Sequence, residues 1–140
     1  MSFKLIKTLD GAEAPLFYNY SVPASTAIAQ DAVLSLTVSG NTGYLEPCTG
    51  TNLPFAVAQA ALASTGSVTT QFPVVVISDN QIWQTTANAT LAQSVVGSKV
   101  TLDGTYGSQC TATTTSGTFE VLSTDGVTGG GVVTGRFTSL

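Results

Sequence analysis

Histidine is absent from all 140 residues, and that single absence removes every Ser-His, Cys-His and His-metal constellation. Most enzyme classes go with it. Cations are almost as scarce: Lys4, Lys7, Lys99 and Arg136 stand against eight carboxylates, giving a net charge of −4 and a pI near 4.2. Too few positive charges are present to drive phosphate-backbone binding by counterion release, so no nucleic acid partner is expected. Long hydrophobic runs are missing too. The strongest block, residues 74–77, falls far short of the roughly 20 apolar residues that span a bilayer, and no membrane partner is expected. The N-terminus lacks an apolar signal core and reaches Asp10 early, which predicts synthesis in the cytoplasm.

Cysteine is limited to Cys48 and Cys110, without any CxxC spacing. Zinc-ligand geometry is therefore not foreseen, and two free thiols are the expectation for a chain without an export signal. The glycosylation patterns at Asn19 and Asn88 then carry no meaning. Charged residues of both signs make up only 9%, against about 25% in typical globular proteins. The surface must instead be covered by Ser, Thr, Asn, Gln and Gly. Such a surface costs little to desolvate when another protein docks on it.

The remaining polar residues offer little chemistry. Asp10, Asp79, Asp103 and Asp125 stand beside Gly or Asn in apparent turns, where turn formation accounts for them. Calcium-loop spacing is not found. The glycines at 129–131 are followed by no Gly-Lys-Ser/Thr, so they read as a turn and not as a phosphate loop. Lys99 reads as a solvated lysine. No cofactor or metal and no catalytic residue is predicted.

What the sequence does contain is a succession of short β-type runs broken by turn residues. Strands are predicted within 3–9, 32–38, 44–46, 72–77, 81–85, 100–102, 118–122 and 132–137. The apolar run at 72–77 fits a strand buried on both faces, with 81–85 as its hairpin partner. Residues 39–43 supply a tight turn between two strands. Pro15 and Pro23 make 13–29 a loop with aromatic anchors. Residues 55–63 read locally as a short helix that tertiary context can turn into a strand. Asn88 is placed to cap a helix over 89–96, with Gly97 ending it. The fold class is thus all-β: a small single-domain β-barrel or sandwich of about eight strands with one or two short helices. Residues 1–9 form an extended N-terminal arm or an ordinary first strand, and 10–140 form the domain.

The stretch Gln30-Asp31-Ala32-Val33-Leu34-Ser35-Leu36, then Gly43-Tyr44-Leu45-Glu46-Pro47-Cys48-Thr49 and Pro54-Phe55-Ala56-Val57-Ala58, resembles tailed-phage capsid decoration proteins, also called cement or head-stabilising proteins. Val74-Val75-Val76 with Ile82-Trp83 continues the likeness. Gln30 and Ala56 replace glycines usual in that pattern. The resemblance spans about residues 30–102 and is carried by strand and turn signals. It implies a non-enzymatic structural protein on the exterior of a bacteriophage virion, bound to the major capsid protein and to itself as a homo-oligomer, with a trimer favoured. Candidate partner-contact residues are Phe3, Lys4, Leu5, Ile6 and Lys7 of the arm, and Trp83 as a core or interface anchor. Two alternatives share the composition. One is a tail-associated or receptor-binding virion component. The other is a non-viral carbohydrate-binding module in which Trp83 with Tyr44 or Tyr106 forms an aromatic platform.

Overall fold

The structure, a computed structural model, describes residues 3–11, 13–48, 52–102, 109–125 and 131–138. The turn at Asp103-Gly104, the glycines 129 and 130, Ser2, Thr49 and Tyr106 lie outside them. The all-β expectation holds. Ten strands form two sheets: β1 (Lys4–Thr8), β2 (Leu16–Val22), β3 (Val33–Ser39), β4 (Thr42–Pro47), β5 (Ala56–Ala58), β6 (Thr69–Val76), β7 (Gln81–Thr86), β8 (Lys99–Val100), β9 (Phe119–Thr124) and β10 (Val132–Phe137). Strands β2 to β6 close into a barrel in the order β2-β4-β3-β5-β6, and the others make a sheet in the order β1-β7-β10-β9-β8.

The hydrophobic pattern explains why the two layers stick together. Successive side chains on a strand point to opposite faces. On β3, Leu34 enters the barrel interior while Val33 faces the sheet; on β6, Val74 and Val75 divide in the same way, and on β5 Ala56 and Ala58 divide from Val57. These strands are apolar without alternation because each face meets a separate core. The barrel interior is filled by Val22, Ile28, Leu34, Leu45, Phe72 and Val74 with small alanines. The interlayer core gathers Val33, Val57 and Val75 against Trp83, Phe119, Val121, Val133 and Phe137 of the sheet.

The β3–β4 hairpin turns as expected, with Gly40 at φ +62 in the two-residue connection between Ser39 and Thr42. Residues 4–8, with arm and first strand both open from sequence, form edge strand β1. Elsewhere the structure corrects the sequence. Residues 16–22 are strand β2: Pro15 and Pro23 bracket the strand and remove no ladder bond from it. Residues 55–63 hold the three-residue strand β5, because Phe55 N–H is spent on Leu34 C=O and Ala58 N–H on Ala32 C=O. The helix foreseen over 89–96 shrinks to a single 3-10 turn, Gln93–Val95, preceded by Ala92. Asn88 is held instead by its N–H to Cys110 C=O, and Leu91 is buried in the core. Strand β7 pairs with β1 and β10, not with β6. The chain leaves the barrel after Val76 and turns a corner that buried Gln81 braces: its Nε2 donates to Val76 C=O (3.2 Å) and its Oε1 accepts from Ser78 N–H (2.9 Å).

Candidate functional site

Strand β1 lies at the rim of the five-stranded sheet and, among the described residues, pairs only with β7. Its register is Lys4 to Gln84, Leu5 to Trp83, Lys7 to Ile82, so Ile6 is an extra residue that bulges the strand. A cleft of about 740 Å³ is lined by the residues of β1. Beside the residues of β1, Phe3 and Trp83, Val75 and Gln59, and Glu13 and Ala14 line it.

The six candidate contact residues are brought together here, but not as equals. Phe3 and Trp83 are 1% exposed and belong to the interlayer core. They are corrections to the expectation of direct partner contact, because neither has surface to offer. Phe3 packs edge-on against Phe119 (5.2 Å between centroids) and beside Phe137 (5.3 Å), which Trp83 also meets at 6.2 Å. Aromatic burial of this kind anchors β1 to the sheet. Trp83 therefore cannot serve as an exposed glycan-stacking platform. Its indole Nε1 is buried and has no hydrogen-bond partner among the described residues, an arrangement that costs about 1–3 kcal/mol.

Lys4, Leu5, Ile6 and Lys7 are exposed, with Leu5 at 36% and Ile6 at 48%. Lys4 forms an ion pair with Asp31. Asp31 sits at φ +64, a conformation Asp tolerates better than most residues. Its C=O accepts from Phe3 N–H (3.0 Å) and its N–H donates to Ala58 C=O (2.9 Å), so it clips the start of β1 to the barrel. Lys7 makes no ion pair among the described residues. Across the sheet, Arg136 Nε donates to Glu120 Oε1 (2.8 Å), with Lys99 opposite Glu120 on β8.

Sequence reasoning missed Asp31, Glu13 and Leu16. Asp31 meets Lys4 across 27 residues, and no local pattern announces such a pair. Leu16 pairs with Val75 and so shares its outward face, yet it is 47% exposed. Phe17 and Tyr18 beside it are exposed as well. Only the aromatic clustering at 17–20 hinted at a surface anchor.

The chemical inventory is otherwise quiet. Cys48 and Cys110 are free and buried, and burial pushes both thiols up to about 12. Cys48 Sγ donates to Asn52 C=O at 3.3 Å. Among the described residues no three Cys, Asp or Glu side chains gather into a group that could hold a metal ion. No described helix is long and apolar enough to cross a membrane. Comparison with models of known protein families finds none that matches the chain, and comparison with curated proteins finds no match either.

Proposed function

We propose that this chain is a non-enzymatic virion structural protein: a decoration protein that binds the outer surface of a tailed-phage capsid and stabilises contacts between neighbouring major capsid subunits. One observation carries the reading. Leu5 and Ile6 are exposed on the lining of the cleft, and Leu9, Leu16, Phe17 and Tyr18 are further large apolar side chains left exposed at the end of β1 and on β2, on a chain with only 9% charged residues. So many large apolar side chains left in water favour a docking role. Their polar surroundings are mostly uncharged and inexpensive to dehydrate. The likeness of residues 30–102 to decoration proteins supports the same reading, as does a barrel and sheet locked by a shared core, which gives a stiff clamp. Self-association as a homo-oligomer, with a trimer favoured, is part of the proposal, as is assembly onto the shell after synthesis in the host cytoplasm.

The test is co-sedimentation of the purified protein with expanded capsid shells of the phage that encodes it, with bound copies counted by gel densitometry. Saturation at a copy number proportional to the major capsid subunits, together with shells that survive higher temperature, is the expected result. A handful of copies per particle would move the assignment to a tail component. No association would overturn a virion role on the shell.

A further inference from the structure

Lys99, Glu120 and Arg136 stand side by side across β8, β9 and β10, by the register that pairs Lys99 with Glu120 and Glu120 with Arg136. Arg136 follows Gly135, which pairs with Trp83, and so comes beside Ile82 of β7. Lys7 of β1 pairs with Ile82 in turn. One transverse row, Lys7-Ile82-Arg136-Glu120-Lys99, therefore crosses all five strands of the sheet. Residues directly opposite one another in an antiparallel pair share a face. Their neighbours along the strands, Trp83, Phe119, Val121, Phe137 and Val100, belong to the interlayer core, whereas Ile82 belongs to neither core cluster. Because successive side chains alternate, the row lies on the outer face of the sheet, away from the barrel.

The row holds three of the chain's four cations and one carboxylate. The rest of the chain is left with Lys4, which is paired with Asp31, and seven carboxylates. A chain of net charge −4 thus collects its positive charge on one face, a segregation that mere solvation of a sheet does not require. Lys7 and Lys99 are exposed, and neither makes an ion pair among the described residues. Arg136, bound to Glu120, keeps its side chain 37% exposed. Leu122, bulged on β9, and Val132, which alternates with buried Val133 on β10, add two apolar side chains that are each 40% exposed. Asp125, just past β9, accepts at Oδ2 from Val132 N–H (3.0 Å) at the strand end.

Size and charge decide the occupant. Five strands spaced by about 4.8 Å, each with about five residues rising about 3.4 Å, make a face of about 400 Å². That is half of the roughly 800 Å² that a stable interface takes from each partner, too little to hold a dimer by itself. Two copies meeting face to face would also oppose two positive rows, which is costly. The chain's own carboxylates offer no matching patch, because they are spread over separate elements: Asp10 and Glu13 follow β1, Glu46 lies on β4 and Asp79 at the corner after β6. A small, charge-steered contact suits attachment in many copies to a repeating surface. We infer that the outer face of the sheet docks, through Lys7, Arg136 and Lys99, onto an acidic surface of the protein that the chain decorates, with an affinity that falls as salt rises. The inference rests on the decoration reading for the identity of that protein, but not for the cationic face.

Two measurements test it. In the first, wild type, a Lys7→Gln, Lys99→Gln double variant and a Val38→Glu, Leu53→Glu double variant are sedimented with expanded shells at low and high salt. Both variants make the net charge equally more negative, but Val38 and Leu53 are exposed outside the sheet. All four side chains are exposed, so both variants should keep the wild-type melting temperature. The lysine variant should bind shells about tenfold more weakly at low salt and converge with wild type at high salt, where surface charges are screened. The other variant should stay within about twofold of wild type. In the second, amide shifts of the full-length protein are followed by NMR as acetylated hexaglutamate or hexathymidylate is added. Hexaglutamate should move the amides around Ile82, Lys99, Glu120 and Arg136, and should fail to do so in the lysine variant. Tighter binding of hexathymidylate would overturn the protein partner. Equal shell binding by all three proteins, or an equal loss in both variants, would overturn the cationic face as the docking face and leave the decoration reading standing. Hexaglutamate on the row without any shell binding would keep the face and overturn the decoration reading. Silence in both assays would overturn both.

Discussion

Cys48 and Cys110 lie in the interlayer core with their thiols pushed up to about 12 by burial, against an ordinary value near 9.0. In the folded chain they stay protonated where the unfolded chain would release protons. Their contribution to stability is therefore complete below about pH 9 and is lost as pH rises toward 12, at about 1.4 kcal/mol per pH unit for each thiol. Melting curves between pH 8 and 11 should fall more steeply for wild type than for a Cys48→Ala, Cys110→Ala double variant. Equal slopes would show that the thiols are not held from water as described. Residue type was legible here: two thiols without an export signal were expected to be free. Residue position was not always so. Phe3 and Ile6 are both apolar residues of one short strand, yet one is 1% exposed and the other 48%. The bulge at Ile6 that separates their fates depends on the facing strand β7, which is about 80 residues away in the chain.

At the scale of elements, β10 shows how tightly a strand can depend on one missing side chain. A Cβ on Gly135 would approach Glu120 C=O to 2.2 Å and the Phe119 ring to 2.8 Å. The register shifts just there, with Leu122 of the facing strand β9 bulged opposite Thr134 and Gly135. Gly135→Ala is expected to cost about 3 kcal/mol in denaturant unfolding, whereas the same change at Gly66, which has open space around it, should cost almost nothing. A small effect at Gly135 would mean that β9 and β10 yield easily. Strand β10 and the β3–β4 hairpin were legible because their signals are local: a run of β-formers, and a turn with glycine at its tip. Strand β2 was not, because prolines that bracket a strand look the same in sequence as prolines that forbid one. The helix over 89–96 was a fair local inference from Asn88 and Gly97. It failed because Ala92 is extended (φ −71, ψ 159), which interrupts the stretch before Gln93, with Leu91 buried in the core.

For the whole molecule, the core shared by barrel and sheet sets the cooperativity. Separating the sheet from the barrel would expose Val33, Val57 and Val75 together with the Trp83 cluster, at about 1.5–3 kcal/mol for each large side chain. The sheet and barrel should therefore unfold in a single transition. Trp83 fluorescence, which reports the sheet, and far-UV circular dichroism, which reports all strands, are expected to give coincident melts; an earlier fluorescence change would show that the layers part. Sequence periodicity conveyed that the fold is all-β, yet not that it divides into a closed barrel and an open sheet, since that division is decided by which distant strands pair. Those pairings also fix an order of events. All five barrel strands fall between residues 16 and 76, while β7 must find β1 behind it and β10 ahead of it. During translation, at about 5–20 residues per second, β1 waits several seconds for its neighbour β7, and the sheet is finished only when β10 emerges. The barrel has time to close first, so β1, made before every barrel strand, is locked in place only after them.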